Sequence, residues 1–333
     1  MTKTVLYAES TYPDSSVEER IYGPGVTVLM RNVESLDDLP QSDCDVANAL
    51  MIARLQVTPE QLARFKNLKA VVRTGVGYDN LPRAQAAKQG VLVCNVPDYG
   101  TAEVCDTAIA MMLALRRGVI WHHDAQRAGA PWRYENNPVI RRLAVQTLGI
   151  VGLGRIGTAV ALRAKALGMK VVFFDPNLPR GADLAIGVGR AESLEELLRQ
   201  SDVLSLHAPL LPSTRGLIGA KELALLPEGA VLINTARGPI VDLDAVEGAL
   251  RSGRLAGAGL DVIPVEPPVE PYPSLLKAYH AKEDWLLGRL LILPHIAYYS
   301  PEAWMDIRVK SAETARAAIL TNAPQNVIKP EDF

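Results

Sequence analysis

Three features predict an α/β protein built from two doubly wound, parallel-sheet domains. Short β-branched runs alternate with longer helical patterns, a second series of such runs begins near residue 147, and the length of 333 residues exceeds what one core usually organises. The first series comprises TVLYA, VTVLM, AVVRT and VLVCNVP, with TPEQLARFKNL as a helical segment among them. An Ala-rich stretch from Glu103 to Gln126 follows, and Ala108, Met112 and Leu115 recur in it at helical spacing, so a single connecting helix is expected. The second series runs through TLGIVGLG, KVVFFDP, VLSLHAPL, VLINTA, GAGLDVIP and LLILPHIA. A final helix near Pro301 to Leu320 is expected to pack back on the first domain. The expected division is therefore residues 1–103 plus 297–333 for one domain, with residues 104–296 inserted as the other.

Composition narrows the class. At 48% hydrophobic and 22% charged residues the chain can bury a large core, which argues against disorder. A net charge of −2 and a pI near 6.2 leave no positive excess for nucleic acid or anionic lipid. The most apolar long stretch, Cys105 to Leu115, contains Asp106 and stops at Arg116, too short to span a bilayer. MTKTVLYAES enters a strand-like run without the features of a secretory signal, so a cytoplasmic location is expected. Cys44, Cys94 and Cys105 are odd in number, apolar in setting and without CxxC spacing; they read as buried thiols, with no metal site.

Within TLGIVGLGRIGTAVALRAKALGMKVVFFDP, Gly152, Gly154 and Gly157 form GxGxxG directly after a strand and directly before an amphipathic helix. Gly152 permits the tight turn, Gly154 lets backbone approach a pyrophosphate, and Gly157 allows close helix–strand packing. The helix N-terminus offers N–H groups to the anion. Asp175 ends the next strand at the separation where a carboxylate meets the ribose hydroxyls of a dinucleotide. A 2′-phosphate would face it as a like charge, so NAD(H) is expected rather than NADP. The plain alternative is a turn in which Asp175 only caps the loop at Pro176.

Arg237, Glu266 and His295 each follow the C-terminal end of a strand in the second series, where open α/β sheets place their ligands. An Arg can hold a carboxylate by two parallel contacts and polarise a keto oxygen. A His beside a carboxylate is favoured in its protonated form and oriented by it, a matched acid for that oxygen. Taken singly, a loop Glu or Arg is usually a solvated charge and a lone His usually structural; the constellation is what carries weight. His122 and His123 read as surface residues, His207 as lining the cofactor cleft, and His280 has no evident role.

VVRTGVGYDN, VGLGRIG, NTARGPIVD, GLDVIPVEPP and LPHIAYYS resemble, in order and spacing, the motifs of the D-2-hydroxyacid dehydrogenase family over nearly the whole chain. LGIVGLGRIGTAVALRAKALGMKVVFFDP and QNVIKPEDF resemble most the branch containing the C-terminal-binding protein corepressor. The resemblance implies two Rossmann-like or flavodoxin-like domains, the cofactor domain being inserted in the substrate domain. It also implies reduction of a 2-keto acid to a 2-hydroxy acid, with domain closure excluding water. The family's catalytic residues fall on Arg237, Glu266 and His295. Its nicotinamide-side Asp falls on Asp261, its phosphate contacts on Arg155 and Ile156, and further cofactor contacts on His207, Ala208, Thr214, Thr235 and Ala236. Its substrate positions fall on Arg73, Val76 and Gly77, where backbone N–H groups could hold a carboxylate.

A homodimer around the connecting helix and PWRYENNPVIRR is likewise implied. The chain departs from the family pattern at Val269 to Arg289, a helix-length addition expected to cover the cleft or extend a subunit contact. It departs again at Tyr298, where the corepressor has Trp. With Tyr78, Tyr99 and Trp304, Tyr298 suggests an aromatic-lined substrate pocket, each ring alone being equally explicable as core or interface. Glu266 disfavours formate chemistry, which pairs the His with Gln. The substrate stays open from glyoxylate and hydroxypyruvate to branched or aromatic keto acids, and an NADH-sensing binding protein is the alternative to an enzyme.

Overall fold

The computed structural model describes residues 2–134, 139–321 and 323–330. Residues 135–138, within the expected dimer arm, and 331–333, the end of QNVIKPEDF, lie outside the described residues. The chain divides into two compact units, one of residues 1–100 with 300–333 and one of residues 101–299. The second unit is thus an insertion in the first.

In the first unit, β1 (Lys3–Tyr7), β2 (Val26–Met30), β3 (Ala49–Ile52), β4 (Ala70–Arg73) and β5 (Leu92–Cys94) form a parallel sheet of order β2-β1-β3-β4-β5. Its central strands are apolar without alternation because both faces are covered. Leu6, Leu50 and Val71 enter one cluster, while Val5, Met51 and Val72 enter the other. Sequence reading did not single out β3, whose ALMI lacks the β-branched bias of its neighbours. TPEQLARFKNL yields only the short Pro59–Ala63 helix, started by a Thr58–Gln61 capping box.

In the second unit, β6 (Thr147–Val151), β7 (Lys170–Phe174), β8 (Gly189–Arg190), β9 (Val203–Leu206), β10 (Ala230–Asn234), β11 (Leu255–Leu260) and β12 (Leu290–Ile292) form a parallel sheet of order β12-β11-β10-β9-β6-β7-β8. The order reverses between β6 and β9, the switch point at which such sheets bind dinucleotides. The expected single connecting helix is two, Thr101–Arg116 and Val119–Arg127, separated at Gly118 with φ 61°. A left-handed residue cannot continue a right-handed helix. The Val269–Arg289 addition contains the Ser274–His280 helix, whose Leu275 and Leu276 are buried in this unit's core. Trp285 lies under the Arg251 guanidinium at 4.0 Å. Cys44, Cys94 and Cys105 are buried free thiols, and burial pushes the last two up to about 11. Among the described residues no helix is long and apolar enough to cross a membrane.

The Pro301–Leu320 helix belongs to the first unit, as expected, and starts with the Ser300 hydroxyl accepting from the Ala303 N–H. It carries Arg308, whose Nε and Nη2 both donate at 2.7 Å to the carboxylate of Glu18, a residue with no exposed surface. The Arg308 guanidinium also lies over Tyr12 at 4.6 Å. Removing one member of such a pair strands a charge in the interior. Arg308→Met is therefore expected to lower stability in urea unfolding by about 3–5 kcal/mol, and Glu18→Leu/Arg308→Met to recover most of that. A double variant as unstable as the sum of the singles would contradict the pairing.

Candidate functional site

The glycine turn after β6 shows why Gly152 and Gly157 are needed. Gly152 has φ 88°, and a Cβ there would stand 2.8 Å from the Ala208 backbone nitrogen. Gly152 thus lets the loop after β9 close against the loop after β6. A Cβ on Gly157 would lie 2.2 Å from the Gly152 carbonyl oxygen, so the Arg155–Ala166 helix can sit this close to the turn only without a side chain. A Cβ on Gly154 would meet nothing within 4 Å, and the turn presents bare backbone to open space there. Arg155 and Ile156 supply the first helical N–H groups, with Arg155 exposed and Ile156 packed on the core. Asp175 accepts from the Leu153 N–H and the Asn177 N–H, both at 3.0 Å, and so ties the glycine turn to the loop beyond β7.

Among the described residues, two polar atoms near this switch point lack a partner. His207 Nδ1 and Thr235 Oγ1 are buried beyond the ends of the adjacent strands β9 and β10. Buried polar groups are ordinarily satisfied, so a pair of orphans in a dinucleotide cleft fits a bound NAD(H) that supplies the partners. Burial lowers the His207 pKa from 6.5 to about 4, and its Nε2 pairs with Ser205 Oγ at 2.8 Å. The Thr214 hydroxyl donates to Pro209 O at 2.7 Å and accepts from Leu211 N–H at 2.8 Å, closing its own turn. Ala208 and Ala236 contribute backbone in this region.

Arg237, Glu266 and His295 are joined by contacts that begin in the backbone. A Cβ on Gly238 would stand 1.9 Å from the Ile263 carbonyl carbon, so the Arg237 turn abuts the Glu266 loop directly. Asn234, wholly buried, accepts from Ala236 N–H and donates to Arg237 O at 2.9 Å, setting the path of that turn. Glu266 accepts from Ile263 N–H at 2.9 Å, and its other oxygen pairs with His295 Nδ1 at 2.5 Å. Burial pushes the Glu266 carboxyl up. The His295 hydrogen bond and charge, the Ile263 N–H and the Arg237 charge outweigh burial and hold it below the ordinary value.

His295 itself has φ 54°. Its N–H donates to Asp261 O at 2.8 Å, while the Asp261 carboxylate accepts from Ile296 and Ala297 N–H groups. Burial raises the Asp261 pKa against those hydrogen bonds. Thr107, in the Thr101–Arg116 helix, donates to Ala297 O at 3.3 Å from the other side. Asp261, expected as a cofactor contact, is thus seen holding the His295 turn. Sequence reading missed Asn234, Gly238 and Thr107; the NTARG run carried a signal for the first two, and Thr107, within a helical pattern, had none. The Tyr298 ring stands edge-on to His295 at 6.2 Å.

In the first unit, Arg73 folds over Gly75, where a Cβ would meet its Nη1 at 1.3 Å. Asn95 donates to Val76 O at 2.6 Å, and no described residue accepts from the Val76 or Gly77 N–H. Asn80 ties this loop to the one after β3 by donating to Leu55 O, and the Glu9 carboxylate holds that neighbour through the N–H groups of Ala53, Arg54 and Leu55. The other expected pocket aromatics have protein neighbours. Tyr78 lies under Arg83, Trp304 packs edge-on against Tyr12, and Tyr99 is buried.

Sheet order, glycine turn and orphaned polar atoms together define a dinucleotide-binding α/β protein. Residues 109–297 match the D-isomer specific 2-hydroxyacid dehydrogenase, NAD binding domain. The chain is 35% identical to glycerate dehydrogenase of Methylorubrum extorquens, over 85% of this chain and 86% of that one. It is 32% identical to C-terminal-binding protein 1 of Caenorhabditis elegans over 94% of this chain, but spans only 43% of that protein's length. Among solved structures, D-lactate dehydrogenase from Aquifex aeolicus, complexed with NAD and lactic acid, is similar with a TM-score of 0.83 and 29% identity. That match covers 97% of this chain and 98% of that one. The chain belongs to the D-isomer specific 2-hydroxyacid dehydrogenase family, and its second unit contains the family's NAD binding domain.

With a value near 4 when folded against 6.5 ordinarily, His207 resists a proton that the unfolded chain accepts. Stability should therefore fall as pH drops from about 6.5 to about 4, by up to about 3 kcal/mol from this group. Melting temperatures of the protein and its His207→Asn variant measured across that window should converge toward low pH. Parallel curves would show that His207 titrates normally.

Proposed function

We propose that the protein is an NAD-dependent 2-hydroxyacid dehydrogenase that reduces a 2-keto acid, with Arg237 orienting the substrate and Glu266–His295 moving the proton. The carrying observation is the 2.5 Å contact between His295 Nδ1 and Glu266, on a turn that Asp261 holds from behind. NAD(H), when bound, supplies or accepts the hydride. Arg237, permanently charged, takes the substrate carboxylate by parallel N–H donors and draws charge from the keto oxygen. His295 uses Nδ1 on Glu266, which leaves Nε2 to give a proton to that oxygen, or to take it back in the reverse reaction.

Asp175 is assigned to the ribose hydroxyls, with Gly152, Gly154, Arg155, Ile156 and Gly157 at the pyrophosphate. His207, Ala208, Thr235 and Ala236 line the cofactor, and Tyr298 stands on the substrate side of His295. In the first unit, Arg73 and the N–H groups of Val76 and Gly77 are assigned to the substrate. The 32% identity with C-terminal-binding protein 1 favours a second reading, in which NADH binding rather than turnover is the output. NADH consumption measured with keto acids from glyoxylate to phenylpyruvate separates the two. His295→Ala is expected to lower kcat by at least about 10²–10⁴-fold with NADH affinity nearly unchanged. Tight NADH binding with no turnover on any acid would sink the dehydrogenase reading.

A homodimer formed around the second unit's arm is part of the proposal. It is supported by Trp132 and Tyr134, which are 93% and 95% exposed, large aromatics of the kind that anchor interfaces. Sedimentation should show a dimer, and Trp132→Ala/Tyr134→Ala should shift it toward monomer; a variant that stays dimeric would place the interface elsewhere.

A further inference from the structure

Arg190 is the second residue of β8, the two-residue edge strand of the second unit's sheet, and it reaches across the end of β7. Its Nη1 donates to Pro179 O at 3.0 Å, and its Nη2 to Leu178 O at 3.1 Å and, at the longest, to Asp175 O at 3.5 Å. The guanidinium stands 5.8 Å from the Phe173 ring centre. Three carbonyl groups of one loop thus converge on one permanent cation. Beyond these bonds the loop is held by Leu178 packing on the core and by Ala182 N–H donating to Pro179 O at 3.4 Å. Pro176 and Pro179 have no N–H to donate, and within the segment the Asp175 carboxylate takes only the Asn177 N–H. The same carboxylate takes the Leu153 N–H of the glycine turn. A displacement of this loop is therefore passed directly to Asp175.

We propose that Arg190 is a positioning residue for the adenosine half of NAD(H): by gathering the 175, 178 and 179 carbonyls it holds Asp175 where the ribose hydroxyls meet it. This rests on the cofactor assignment above and extends it to a side chain that touches no cofactor atom itself. Guanidinium geometry matters here, because several forked donors serve divergent acceptors, whereas a lysine ammonium is a compact point charge. Arg190→Leu would leave the carbonyls to water and let the loop relax away from the glycine turn. Only ligands that contain the adenosine half should sense the change.

The test is calorimetric binding of NADH and of ADP-ribose, which carries the adenosine and pyrophosphate but no nicotinamide, to the protein and to Arg190→Leu and Arg190→Lys. Arg190→Leu should weaken both ligands by the same factor, about tenfold, which corresponds to about 1.4 kcal/mol. Arg190→Lys should lie between, and in Arg190→Leu the KM for NADH should change by a larger factor than kcat. Unaltered ADP-ribose affinity in Arg190→Leu would overturn the inference, as would a loss for NADH alone. If Arg190→Leu does not fold, Arg190→Lys decides: the protein's own ADP-ribose affinity in that variant counts against the proposal. Failure of the unsubstituted protein to bind either ligand would instead overturn the cofactor assignment beneath it.

Discussion

Three successive backbone N–H groups, those of His295, Ile296 and Ala297, converge on Asp261, the first on its carbonyl and the others on its carboxylate. A non-glycine residue at φ 54° carries a conformational cost of order 1–3 kcal/mol, and it persists only where surrounding contacts over-determine it. Asp261 supplies those contacts from the end of β11, where it is 1% exposed. Glu266 completes the arrangement by taking His295 Nδ1 at 2.5 Å, so both ends of the imidazole's support come from the segment just beyond one strand. The chemistry proposed for His295 depends on this clasp to hold the imidazole in place.

The same strand-end logic recurs through the second unit. Parallel strands deliver their loops to one edge of the sheet, and loops on neighbouring strands then compete for space. At two places the competition is resolved by glycine. Gly152 admits the Ala208 backbone and Gly238 admits the Ile263 carbonyl, each where a Cβ would overlap main-chain atoms that cannot rotate aside. These approaches bring the cofactor turn to the β9 loop and the Arg237 turn to the Glu266 loop. Buried Asn234, bonding to Ala236 and Arg237, sets the path of the Arg237 turn itself.

Several elements were legible in the sequence because their physics is local. GxGxxG between a strand and a helix states its own geometry, and Asp175 follows at the expected strand end. Others could not be read because a neighbour distant in sequence decides them. ALMI becomes β3 only because both sheet faces bury it; in isolation an Ala-Leu-Met-Ile run reads as well for a helix. The connecting segment has a continuous helical pattern, yet Gly118 breaks it, with Ile140 and His122 crowding the space beside it.

From sequence alone, the order of motifs determined the two-unit α/β plan, the family and the NAD-type turn, and it singled out Arg237, Glu266 and His295 as candidates for the chemistry. These follow from residue type and spacing along the chain, which folding does not alter. Only the tertiary structure decided that Asp261 clasps the His295 turn and that Arg190 gathers the loop beneath Asp175. It also decided that the Val269–Arg289 addition buries Leu275 and Leu276 in its own unit's core. The first two depend on which backbone groups lie within about 3 Å of a side chain and the third on which apolar surfaces meet, both set by how the segments fold together.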